Sequence, residues 1–257
     1  MRKILKSQPP TNVAAQPPSR SWNEARAELL AEIKTAPAEG AQVARMRFDA
    51  IDKLPVRRAL GKEQNNLCVF CETRIDPELG FAGDGSTLPV TAHKDEAVLG
   101  GVRIAHWKPI RVDPRGAFDW RNVYASCSGA WPSGARTCDP HQGEMDPHLE
   151  PPAERDWGVL LEFGSDGHVR PRDGANADLK SAVPNPPAPG IWNLNHLSLV
   201  TARKAAIDAE LERARAERDR RGISKRDVID EALRRLDKTP LRSFITALRQ
   251  AFARWRQ

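Results

Sequence analysis

The sequence predicts an α+β fold in which a zinc-stapled centre is flanked by helices at both ends, and three observations predict it. Cys68 and Cys71 form a C-x-x-C pair, and the other two cysteines, Cys127 and Cys138, lie in a single downstream run, residues 103–144. Apolar residues recur at helical spacing near the N-terminus and again through the last quarter of the chain. Between these ends, short apolar stretches bounded by Gly, Pro and Asp read as strands. Four segments follow: a basic, proline-rich stretch (1–20), N-terminal helices (21–66), the stapled core (67–150), and a small hairpin with basic C-terminal helices (151–257).

In chain order, Pro9-Pro10 and Pro17-Pro18 mark the first segment as extended or mobile. Ser21 and Glu24 have the spacing of a capping box, so a helix should run to about Thr35 with Trp22, Ala25, Leu29, Leu30 and Ile33 on one face. Val43, Met46, Phe48, Ile51 and Leu54 suggest a second helix, and Pro55 suits the first turn of a third, ending near Gly61 or Asn65. Residues 79–101, with His93, Asp95 and Glu96, read as a long loop of solvated polar groups. A strand should end at His106. Residues 158–163 and 168–170, joined by Asp166-Gly167, should form a hairpin. A helix over 199–221 stopped by Gly222, a cap at Ser224, and a last helix starting at Thr239-Pro240 complete the chain.

No apolar run reaches the roughly 20 residues of a membrane span, and the N-terminus lacks the pattern of a signal peptide, so the expectation is a soluble, cytoplasmic protein. The formal charge of +6 is uneven: residues 200–257 hold sixteen Lys and Arg against nine Asp and Glu. Such a tail could meet phosphate or an acidic partner, or be a solvated face laced with ion pairs.

Four thiolates can hold one Zn2+ tetrahedrally, so Cys68, Cys71, Cys127 and Cys138 are the expected ligands of a structural zinc. Two disulfides, or a site in which a histidine replaces one thiol, are the alternatives. His106 is placed to take a proton from water, Asn122 to orient that imidazole or the loop carrying it, and His141 to bind a divalent ion. Trp107, Trp120 and Trp131 flank this run as packing residues, Trp107 being the one to test for substrate contact. His93, His148, His168 and His196 sit in loops or beside turns, where solvated roles are the default.

The order Cys68-Val69-Phe70-Cys71-Glu72, Ala105-His106-Trp107-Lys108-Pro109, Asp119-Trp120-Arg121-Asn122, Cys127 and Cys138-Asp139-Pro140-His141 resembles the HNH (ββα-metal) endonucleases. Within them it is most similar to the PtuB-like nucleases that accompany an ATPase in Septu-type and retron-associated anti-phage systems. Met1-Arg2-Lys3-Ile4 with Lys6 and Pro9, Glu63-Gln64, and Leu194-Asn195 with Leu199 and Arg203 extend the likeness over most of the chain. The resemblance implies an endonuclease subunit with a ββα-metal core. In it His106 is the general base, Asn122 orients the base or contacts metal, and His141 is a ligand of catalytic Mg2+ or Mn2+. It further implies nucleic acid as substrate, DNA ahead of RNA, and a separate PtuA-like ATPase as partner; the chain has no P-loop of its own. One position departs from the pattern. The family's acidic or histidine metal ligand before the base is here Ala105: either the position was altered to silence the chain, or Glu72 or Asp139 supplies the ligand, or the chain is naturally weak or inactive, and the expectation is weak cutting that Ala105→Glu restores. The competing function is a non-catalytic, zinc-stabilised adaptor binding nucleic acid or protein through its basic C-terminal helices.

Overall fold

The computed structural model describes residues 2–15, 19–78, 101–131, 134–238 and 240–257. It is a mixed α+β structure whose two small sheets are embedded among helices, and one contiguous apolar core runs from Ile4 to Phe252. Among the described residues no helix is long and apolar enough to cross a membrane.

Ser21 and Glu24 close a reciprocal capping box on α1 (Trp22–Thr35), satisfying amides that would otherwise be orphaned. Trp22, Ala25, Leu29 and Ile33 are buried, whereas Leu30 turns outward. In α2 (Gly40–Asp49) the inward face is Gly40, Ala44 and Phe48, and Met46 is exposed. Leu54 belongs to the next helix, because the Asp52 side chain accepts from the Leu54 amide and caps α3 (Lys53–Gln64), with Pro55 in its first turn.

Residues 2–15 form an extended strap packed on the core, and Pro17-Pro18 lie outside the described residues. Ile4 and Val13 are buried, and the Ile4 amide donates to the Pro152 carbonyl. Lys6 lies over the rings of Tyr124 and Trp120, 4.3 and 4.8 Å from their centroids, and donates to Glu63 at 3.2 Å. Burial lowers the Lys6 ammonium to about 8, and Glu63 opposes the shift. Proline content alone could not reveal this, because the burial is set by residues far along the chain.

Strand β1 (Arg103–His106) pairs antiparallel with β2 (Val123–Ser126), with Ala105 opposite Tyr124 and His106 opposite Val123. The outer edge of β2 is closed by a side chain: Gln64 donates to the Ala125 carbonyl and accepts from the Ala125 amide, both at 2.8 Å. This gives the Glu63-Gln64 pair a physical role that the sequence pattern left unexplained. After β2 comes α4 (Cys138–Gln142), which packs on β1.

The hairpin β3 (Leu161–Phe163) and β4 (Val169–Pro171) forms as expected. After it come α5 (Ala177–Ala182), α6 (Leu197–Arg221), α7 (Lys225–Leu236) and α8 (Ile245–Arg256). The last helix begins at Ile245, later than Pro240, because the preceding segment docks on the cysteine region: the Phe244 amide donates to the Glu72 carbonyl and Ser243 Oγ accepts from the Arg74 amide. Phe244 has a φ of 58° and cannot continue a helix. The basic C-terminal helices are laced with pairs. Arg221 meets Glu217 and Glu231, while Arg213, Arg235 and Arg242 converge on the buried Glu210.

Candidate metal centre and active cleft

All four cysteines meet at one buried point. Cys68 and Cys71 sit on the turn after α3, Cys127 directly follows β2, and Cys138 opens α4. Their sulfur atoms all lie within 4.8 Å of one another, with Cys71 Sγ 3.8 Å from Cys127 Sγ. A tetrahedron with Zn–S bonds of about 2.3 Å places its sulfurs roughly 3.8 Å apart, so the cage has the size of a tetrathiolate zinc site. All four thiols are unbridged, and among the described residues no histidine shares the cage, so neither the disulfide nor the mixed-ligand alternative is what this arrangement offers.

The electrostatics of the cage agree. Burial raises the Cys68 thiol, but hydrogen bonds from Cys127, Cys138 and Cys71 outweigh it and hold the group well below its usual range. Cys138 is pushed well up by burial, and Cys127 is also raised. The sulfurs can thus share one negative charge among themselves but cannot all ionise without a cation. A dication such as Zn2+ would supply that compensation, and with four sulfurs filling its sphere it would serve folding.

Next to this cage, α2, β1, α4 and the turn beyond it enclose a cleft of about 490 Å³. Arg45, Phe48 and Asp49 line one wall, Arg103, Ile104 and His106 another, and Arg136, Asp139 and Glu144 the third. His106 Nε2 lies 3.0 Å from the Ala117 carbonyl. A carbonyl only accepts, so Nε2 carries the proton, and in the neutral ring Nδ1 keeps its lone pair. Burial lowers the imidazole from 6.5 to about 4, the Ala117 carbonyl opposes that, and Lys53 and Arg45 add to it. The ring meets the Phe48 edge at 4.6 Å. Lys53 Nζ, 3.6 Å from the Phe48 ring centroid, is itself lowered to about 8 by burial.

Asn122 acts on the loop between the strands. Its Oδ1 accepts from the Lys108 amide at 2.7 Å, and its Nδ2 donates to the carbonyls of Lys108 and Gly116 at 3.0 and 3.2 Å. Its backbone carbonyl accepts from Trp107. The amide therefore pins the turn that follows His106, and it does not line the cleft.

His141 is held elsewhere. Its Nδ1 lies 2.9 Å from the Ile191 carbonyl, and the cleft is lined by Asp139, Pro140, Gly143 and Glu144 to either side of it. His141 is not among the residues that line the cleft beside His106. Ala105 is fully buried and faces Tyr124 across the sheet, and alternation along β1 puts it on the face opposite His106. A longer acidic side chain at this position would start from the core, not from the cleft. Glu72 is also committed: its carboxylate accepts from the Thr246 amide at 2.9 Å and from Thr246 Oγ1 at 2.6 Å, at the first turn of α8. Of the two suggested substitutes only Asp139 reaches the cleft, where it accepts from Arg103 Nε at 2.7 Å. Burial raises its carboxyl and Arg103 opposes the rise.

No protein-family model matches the chain, and no curated protein matches it.

The site thus rests on its own geometry. Among the described residues only the four cysteines bring three or more ligand atoms close enough for a metal, so nothing in the cleft as described supports a catalytic Mg2+ or Mn2+. His93, Asp95 and Glu96 lie outside the described residues. Trp107 is buried, donates to the Leu149 carbonyl and packs against Phe70 and Trp192, which rules it out as a substrate contact. Trp120 is likewise buried, and Trp131 donates to Thr137. Arg45, Asp49, Arg136 and Glu144 line the wall without any mark in the sequence, because polar groups on a helix face or in a loop carry no spacing signal.

Proposed function

We propose that the chain is a nucleic-acid phosphodiester hydrolase of the HNH type, with His106 as its general base. The observation that supports this most directly is the fixed tautomer of His106: Nε2 is spent on the Ala117 carbonyl, and the basic nitrogen belongs to a ring on the wall of an arginine-lined cleft. In the proposed step Nδ1 takes a proton from water, the water oxygen bonds to phosphorus, the bond to the leaving sugar oxygen breaks, and solvent protonates that oxygen. A bound phosphodiester brings negative charge beside the imidazole and raises its basicity, opposite in sign to Lys53 and Arg45. The dependence on Mg2+ or Mn2+, the preference for DNA, the work with a separate ATPase in anti-phage defence and the cytoplasmic location remain implications of the motif resemblance. The adaptor alternative loses support from the C-terminal helices, whose arginines are extensively ion-paired.

Cutting of DNA and of RNA by the purified chain, in Mg2+, in Mn2+ and in chelator, tests the proposal. His106→Ala should lower the rate by about 10²- to 10⁴-fold while binding persists. Cutting that is indifferent to His106, or no cutting of either nucleic acid in any of these conditions, would overturn it.

A further inference from the structure

We propose that Glu144 occupies the seat of a substrate phosphate, and that Arg45 and Arg111 grip the nucleic-acid backbone once this carboxylate swings away. The inference rests on the phosphodiester reading above and names the residues that would hold its substrate. Glu144 follows α4 at the edge of the cleft, and two guanidiniums from different parts of the chain converge on it. Arg45, from α2, donates to Oε1 at 2.9 Å, and Arg111, from the loop after β1, lies 3.5 Å from Oε2. Two cations meeting one oxyanion beside a histidine wall is the arrangement a phosphodiester requires, and here a carboxylate fills it.

Exposure shows why this cluster can exchange its anion. The side chains of Arg45, Arg111 and Glu144 are 57, 75 and 43 % exposed, so each pair is weak and solvent competes for both partners. Glu210, which gathers Arg213, Arg235 and Arg242, is only 4 % exposed, and swinging it out would strand buried charge. The same charge pattern is thus a fixed joint around Glu210 and an openable latch at the cleft. Arg136, a further cleft-lining cation, stands ready for an adjacent phosphate.

Binding of a fluorescent 12-nucleotide single-stranded DNA, measured in the His106→Ala chain so that cutting does not interfere, tests the latch. Glu144→Gln should tighten binding about three- to tenfold, and Asp173→Asn, which removes the same charge from a turn outside the cleft, should change it less than twofold. Arg45→Gln with Arg111→Gln should weaken binding, flatten its dependence on salt by about one to two phosphate equivalents, and abolish the gain from Glu144→Gln. An uncharged peptide nucleic acid of the same bases should not bind. Equal effects of Glu144→Gln and Asp173→Asn, a gain that survives loss of both arginines, or equal binding of the uncharged probe would each overturn the proposal. Because the readout is binding, its failure is separable from failure of His106 as base, which only the cutting assay reports.

Discussion

Removing one thiol from the cysteine cage should undo the junction it ties. Cys127→Ser takes away one of four buried sulfurs that all stand within 4.8 Å of one another, one of them 3.8 Å from its neighbour. The cage joins three pieces, the 68–71 turn, the end of β2 and the start of α4, and each is too short to hold itself in place. A structural zinc of this type contributes about 10–16 kcal/mol of apparent binding energy at neutral pH, as much as or more than the roughly 5–15 kcal/mol that separates a whole folded chain from its unfolded state. The wild-type protein should therefore hold about one zinc per chain by elemental analysis and melt at least about 10 °C lower in a strong chelator. Cys127→Ser should lose the zinc and melt like the chelated protein, while His141→Ala keeps the metal. A metal-free wild type with an unchanged melting curve, or a Cys127→Ser chain that retains one zinc, would refute the assignment, and loss of zinc in His141→Ala would revive a histidine in the ligand set.

Three further outcomes follow from named groups. The His106 imidazole titrates near 4 folded against 6.5 unfolded, so it is neutral in both states above pH 6.5. Between pH 6.5 and 4 only the unfolded chain gains the proton, and stability should fall by up to about 3 kcal/mol; urea midpoints at pH 7 and 4.5 should show this, and His106→Gln should shrink the difference. Ala105→Glu places a carboxylate at a fully buried site opposite Tyr124 and should cost roughly 3 kcal/mol or more without raising cutting, whereas restored cutting at unchanged stability would show that the position reaches the cleft after all. Lys6→Ala leaves the Glu63 carboxylate to Ser7 and Trp120 alone and removes the cation from two aromatic faces, so urea denaturation should show a loss of about 1–2 kcal/mol; an unchanged midpoint would mean that the N-terminal strap does not hold the core.

The parts of this fold that the sequence makes legible are those written in local chemistry. The capping box at Ser21, the first-turn Pro55, the Ser224 cap, the Asp166-Gly167 hairpin and the C-x-x-C turn depend on residues a few positions apart, and all are found. The misplacements share a cause in distant partners. Lys6 settles between Trp120 and Tyr124, Gln64 closes the edge of β2, and Glu72 and Arg74 delay the start of α8, each across separations that periodicity does not carry. The site shows the same division. Four thiols with metal-like spacing announce a cage, but nothing near Arg45 or Glu144 in the sequence announces that they meet.

Ala105 and His106, adjacent in sequence, are separated by the strand they share. Alternation along β1 turns one into the core against Tyr124 and the other onto the cleft wall, so a motif read as a ligand position followed by a general base becomes one buried contact and one imidazole at the cleft. The staple helps keep it so: Cys127 anchors the end of β2 and Cys138 the start of α4, and the register between β1 and β2 leaves His106 opposite Val123 with its Nε2 on Ala117. A one-residue slip of that pairing would exchange the faces of β1, burying the imidazole and lifting the methyl into the cleft. Loss of the zinc should therefore silence His106 without touching it, and a Cys127→Ser chain should lose cutting and melting temperature together.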